Sequence, residues 1–197
     1  IIERVGLVDL KICYVKHCPH SFGLSLTMKN LTKSDQNPKE TVKITYSGDT
    51  QPCEALINIG KDSDILIHEA TMEDDLWKEA RMKMHSTVSE AIEVGRKMDA
   101  RYVILTHFSQ RYAKLPLLQQ NYKNVAVGFD NMEVTLNDLP TMHLMYEPLK
   151  CMFADHYELI EAKTQRRKYI EEHKISLNQP NGNGKNKKKK FNSDDEV

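Results

Sequence analysis

Cysteine is scarce in this sequence: four residues in 197, Cys13, Cys18, Cys53 and Cys151, with no two spaced as CxxC. That argues against a disulfide framework and fits a reducing compartment. Long apolar runs are missing too. The longest are of the size of Ile65-Leu66-Ile67 and Tyr102-Val103-Ile104-Leu105, far below the ~20 residues a membrane-spanning helix needs, so no membrane partner is expected. Neither charge sign is in excess, with 28 Lys+Arg against 28 Asp+Glu. No whole-molecule field therefore draws in nucleic acid or anionic lipid, and such binding has to come from a local patch. The chain opens Ile1-Ile2-Glu3-Arg4, with no initiator Met and no secretory pattern, and we expect a piece of a longer protein. What is present is an ordinary globular composition, 40% apolar and 28% charged, in a chain long enough for one domain with a sizeable core.

Composition divides the chain near residue 150, and three regions are expected: 1–148, 149–177 and 178–197. In the first, Ser21–Met28 and Thr41–Tyr46 read as strands joined by the polar stretch Lys29–Glu40, a hairpin with a long surface loop. Asp64–Ile67 reads as a short buried strand. Met72–Met84 is rich in Glu, Lys, Ala and Met and favours helix; Ser86 with Glu90 nearby opens a second helix running to about Met98. Val88, Ala91, Ile92 and Gly95 recur at helical spacing, which puts one face of that helix on a core. Arg101–Leu105 is a strand, and Val125–Phe129 with Met132–Leu136 form a hairpin-like pair around Asp130-Asn131. Strand, helix and strand in alternation predict a βαβ crossover, an α/β architecture with helices covering a sheet. The second region is a charged, solvated helix over about Phe153–His173. The third combines linker chemistry with the basic run Lys185–Lys190 and reads as a disordered tail.

The informative residues are those directly after each strand. Thr41–Tyr46 leads into Ser47-Gly48-Asp49-Thr50, Asp64–Ile67 into His68-Glu69-Ala70-Thr71, and Arg101–Leu105 into Thr106-His107-Phe108-Ser109. In α/β sheets the carboxyl edge is where loops converge on a rigid support, so Asp49, Glu69 and His107 could share one cleft, joined by His17 and His85. A carboxylate with several imidazoles suits zinc, which accepts N and O donors and lowers the pKa of a bound water to about 7. His68 neighbours Glu69 but points to the opposite face of a continuing strand and reads as structural. Cys18 reads as a packed thiol, and Met72, Met82, Met84 and Met98 as core filler.

These segments, taken in order with His85-Ser86-Thr87 and Thr106-His107-Phe108-Ser109-Gln110-Arg111-Tyr112, resemble the C-terminal half of the long form of ribonuclease Z, the tRNA 3′-processing endonuclease of the metallo-β-lactamase superfamily. His17-Cys18-Pro19-His20-Ser21-Phe22-Gly23 resembles the histidine segment that precedes them. The resemblance runs from about Val15 to Pro140. It implies an αββα sandwich, two zinc ions and removal of the 3′ trailer from precursor tRNA, in the nucleus, the mitochondrion or the cytoplasm. It implies that His17 binds one zinc, Asp49 bridges both and His107 binds the other; His20 competes with His17 for its place. Glu69 and His85 would hand a proton to the departing 3′-oxygen, and Ser109 and Arg111 would meet a phosphate.

One element of that family's pattern is absent: no His-x-His-x-Asp-His occurs in the chain. His17, Asp49 and His107 give each ion two protein ligands, counting the aspartate twice, against the three or four zinc takes. The other donors are expected on an N-terminal half of the same protein, the first partner besides precursor tRNA, and a homodimer is a further arrangement. Alone, the chain is expected to bind zinc weakly and to leave RNA uncut. Two other readings stay open, a scaffold or RNA-binding module that keeps the fold without the metals, and another hydrolase of the superfamily.

Overall fold

The computed structural model describes residues 6–31, 39–109 and 115–177. Among the described residues, six strands form one sheet in chain order. β1 (Leu7–Tyr14) and β2 (Phe22–Lys29) pair antiparallel, as do β2 and β3 (Thr41–Tyr46). β3, β4 (Ile65–Glu69), β5 (Tyr102–Thr106) and β6 (Val125–Val127) then run parallel. Parallel neighbours need crossovers. α1 (Glu54–Gly60) supplies the one between β3 and β4, and α2 (Trp77–Lys83) and α3 (Val88–Lys97) the one between β4 and β5. Five of the six strands read from sequence, and the crossover, are therefore present, within a residue or two at each end.

β1 and α1 are not among the elements read from sequence, and three features of the elements that were read differ. Met72 is not helical but bridges Thr87, and a 3-10 turn at Asp74–Leu76 precedes α2. Thr87, not Ser86, caps α3: its hydroxyl accepts from the Glu90 N–H while Glu90 reaches back to the Thr87 N–H. Ser86 is used elsewhere, donating to the Thr50 carbonyl at 2.6 Å. Finally, 132–136 forms no strand. Met132, Val134 and Leu136 instead pack onto the sheet against a cluster of Val42, Ile65, Ile104, Ala126, Leu139 and Met142, because an alternating apolar segment can cover a sheet face as well as extend an edge.

The larger core lies on the other face, between the sheet and helices α1 and α3, around Leu56, Leu66, Val88, Val94, Met98, Val103 and Leu105. Close approach of α3 to β5 depends on Gly95, where an added Cβ would stand 2.5 Å from Val103 Cγ2. Helix propensity favours alanine there by about 1 kcal/mol, but overpacking against a stiff, buried valine costs about 1–3 kcal/mol. Gly95→Ala is therefore expected to lower stability, read as an earlier midpoint in urea unfolding; an unchanged midpoint refutes the tight contact.

The face that carries the second cluster is covered from Val42 and Ile44 of β3 across β4–β6, half-buried along most of β2 and open along β1. Val8, Leu10, Ile12 and Tyr14 alternate along β1 on one side, Phe22 and Tyr46 lie on the same side, and all six are exposed. Tyr14 and Phe22 are in ring contact at 4.6 Å. An exposed apolar stripe along β1, widened by Phe22 and Tyr46, is more than a self-sufficient domain usually leaves in water.

Beyond the sheet come α4 (Tyr146–Met152) and α5 (Ala154–Leu177), separated at Phe153. Ile160 is buried, Arg167 pairs with Asp75, and Lys78 with Glu171, so α5 is tied to the 3-10 turn and the start of α2. The tail expected over 178–197 lies outside the described residues.

Candidate metal centre

Register brings the site together. Tyr46 pairs with Ile67 and Glu69 with Thr106 across parallel strands, so three chain segments leave the sheet at one edge. Asp49 leaves β3 through Gly48, whose φ is +60°; a Cβ there would meet the Phe22 carbonyl at 2.7 Å, so glycine alone fits this exit. His107 comes directly after β5 with φ +59°, a conformation a side chain adopts only at some cost, and such residues gather at functional sites. His17 lies in the β1–β2 connection, held where Lys16 bridges Gln51. His85 sits between α2 and α3, after Met84 has closed α2 in the left-handed conformation.

Five of the seven candidate residues converge. Donor atoms of His17, Asp49 and His85 lie within 4.8 Å of one another, as do those of Glu69, His85 and His107. His107 Nε2 is 3.7 Å from Asp49 Oδ2, and His85 has ring centroids 4.7 Å from His17 and 5.5 Å from His107. Ser109 is half-buried beside them, its N–H donating to the Thr71 carbonyl. Arg111 lies outside the described residues. His20 is exposed and belongs to neither donor group.

The hydrogen bonds orient each ring. His17 Nδ1 is 2.9 Å from the Met84 carbonyl and His107 Nδ1 is 2.8 Å from Thr71 Oγ1. In both rings the second nitrogen is left for a ligand, the arrangement metal-binding histidines usually show. Glu69 is 2% exposed and works as an anchor. Its Oε1 accepts from the N–H groups of Thr50 and Ser86 and from His85 Nδ1 at 2.8 Å; its Oε2 accepts from the N–H and hydroxyl of Thr71. His68 is wholly buried, donates to the Glu69 carbonyl and is held neutral by desolvation, outside the cluster as its strand parity requires. The donor set of imidazoles with a carboxylate, each ring presenting a bare nitrogen, fits a zinc-type ion.

Sequence reading missed Thr50 and Thr71, whose roles as donors to one carboxylate emerge only from folding. Cys18, expected to be packed, is exposed, as are Met82 and Met84; Met72 and Met98 are core residues as expected. It also missed Glu73, which is buried with its carboxyl pushed up to about 7, first by desolvation and further by Asp74 and Asp75. The Leu117 N–H and Arg167 offset this only in part. Below about pH 4.5 Glu73 is protonated in both folded and unfolded chains and costs nothing. Between there and about pH 7 the fold retains a proton that the unfolded chain releases, so stability falls as pH rises. Glu73→Gln should recover on the order of 3 kcal/mol above pH 7 and little at pH 4. Urea midpoints at the two pH values test this, and equal gains at both refute it.

A beta-lactamase superfamily domain model matches residues 36–108. The chain is 52% identical over 178 residues to "Ribonuclease Z, mitochondrial" of Drosophila melanogaster, covering 89% of this chain and 23% of that protein. It is 46% identical over 159 residues to "Zinc phosphodiesterase ELAC protein 2" of Homo sapiens, covering 80% and 18%. A crystal structure of a long form RNase Z from yeast superposes with a TM-score of 0.68 at 36% identity, covering 81% of this chain and 21% of that one. The chain is homologous to a segment of the ribonuclease Z proteins. Its fold is that of a metallo-β-lactamase domain, as expected from sequence, and it spans about a fifth of the length of these ribonuclease Z relatives. The segments from His17 to His107 that carry the resemblance are those that fold into one cluster.

Proposed function

We propose that this chain supplies one half of the active site of a zinc-dependent endoribonuclease that removes the 3′ trailer from precursor tRNA. The carrying observation is the convergence of His17, Asp49, Glu69, His85 and His107 at one sheet edge, with donor atoms within 4.8 Å. A pair of zinc ions would supply Lewis acidity and an acidified water. His17 would hold one ion, His107 the other, and Asp49 both. The phosphorus–O3′ bond breaks, the oxygen of water joins the phosphorus on the trailer side, and the tRNA is left with a 3′-hydroxyl. His85 delivers the proton to that departing oxygen. Glu69, buried beneath it, orients the ring through the 2.8 Å contact with Nδ1. Ser109 and Arg111 contact phosphate, Arg being well matched to its oxygens.

Two ligands per ion are too few, so the remaining donors come from a second polypeptide segment bearing His-x-His-x-Asp-His. The exposed apolar side of β1, with Phe22 and Tyr46, is the surface against which that segment packs. The mitochondrion is the proposed compartment, in line with the name of the fruit-fly relative. The test compares precursor tRNA cleavage by the chain alone and by the chain supplied with such a segment. Cleavage at the trailer junction only in the second case is expected. Binding of the RNA without cleavage in both favours the scaffold reading.

A further inference from the structure

One oxygen atom touches all three members of the Glu69–His85–His107 donor group. Thr71 Oγ1 is 2.7 Å from Glu69 Oε2, 2.8 Å from His107 Nδ1 and 3.3 Å from His85 Nδ1. The direction of these bonds is determined by chemistry. A carboxylate only accepts, so the single hydroxyl proton of Thr71 goes to Glu69. The oxygen is left with lone pairs alone, and a lone pair can pair with His107 only if Nδ1 carries the proton. Thr71 is 8% exposed, so water has little access to take over either bond. The main chain supports the placement, with the Thr71 N–H donating to Glu69 and the Thr71 carbonyl accepting from Ser109.

We infer that Thr71 is a positioning residue shared by both parts of the site: its hydroxyl holds His107 as the Nδ1–H tautomer, with Nε2 bare toward Asp49, and ties that ring to the Glu69–His85 pair. The assignment of His107 as a ligand and His85 as proton donor rests on the proposed function; the tautomer does not. Thr71 touches no reacting atom. It acts because a metal ligand must present a lone pair, and the bond made by the other ring nitrogen decides which nitrogen has one.

The tautomer is read in the metal-free 197-residue chain, labelled with ¹⁵N in histidine, by long-range proton–nitrogen correlation at about pH 8.5, where an ordinary imidazole is neutral. His107 is assigned from the signals lost in a His107→Asn variant. The wild type should show Nδ1 protonated and Nε2 bare. Thr71→Ser, which retains the hydroxyl, should match it; Thr71→Val, of similar shape without the hydroxyl, should show a mixture. In the complemented protein Thr71→Val should weaken zinc binding about 10–100-fold, whereas Thr71→Ser should stay near wild type. A wild-type ring protonated on Nε2 overturns the inference even where precursor tRNA is cleaved, and it does so whether or not Thr71→Val folds. So does a serine variant as impaired as the valine one while both retain native circular dichroism. Because the first measurement uses neither metal nor RNA, failure of the nuclease reading leaves the tautomer result standing.

Discussion

Asp49→Ala in the complemented protein is expected to remove cleavage and to strip the metal, with zinc content after dialysis falling well below that of the wild type. Removal of groups that merely orient a ligand costs about 10–100-fold in affinity or activity, and a carboxylate shared by two ions should exceed that range. Folding should survive. Asp49 is only partly buried, in a loop beyond the end of β3, and its ion-pair contact is the 3.7 Å approach to His107. The exit from the strand is enforced by Gly48 rather than by the aspartate side chain. Native circular dichroism, lost metal and lost activity together are the expected result. Normal zinc content would remove Asp49 from the centre.

His85→Ala separates two tasks that the geometry places within reach of one ring. A positioned proton donor contributes about 10²–10⁴-fold to a rate, so on the proposed reading kcat should fall by that amount with zinc content unchanged. Its Nδ1 is occupied by Glu69 at 2.8 Å, which suits an oriented acid whose second nitrogen faces the substrate. Yet His85 also stands in both donor groups, within 4.8 Å of His17 and Asp49 and of Glu69 and His107. If the alanine variant loses metal as fully as Asp49→Ala does, His85 is a ligand and the proton comes from elsewhere. Glu69→Gln sharpens the test. It keeps the shape, removes the charge that orients the ring, and should slow cleavage without releasing metal.

The strands were legible because they were written in a simple code. β4 and β5 are short continuous apolar runs, as strands buried on both faces must be. β1 is not among the strands expected from sequence, although Val8, Leu10, Ile12 and Tyr14 carry an equally clear period-two alternation, and its apolar side faces water rather than core. Periodicity reports which residues share a face and is silent on what covers that face. Residues 132–136 show the same limit from the other side. Their alternation resembles a strand, and the chain uses it to pack onto the sheet.

The chemistry divides in a similar way. Sequence alone determined which residue types stand at the carboxyl end of each strand, and so that Asp49, Glu69 and His107 could meet, because parallel strands deliver their ends to one edge. Tertiary structure decided the rest: that Thr50, Ser86 and Thr71 spend their donors on Glu69, that Met84 and Thr71 occupy one nitrogen each of His17 and His107, and that burial drives the Glu73 carboxyl up. Hydrogen-bond direction and desolvation depend on which atoms approach within about 3 Å. Residues such as Thr71 and His107, 36 positions apart along the chain, acquire that relation only when the sheet has set its register.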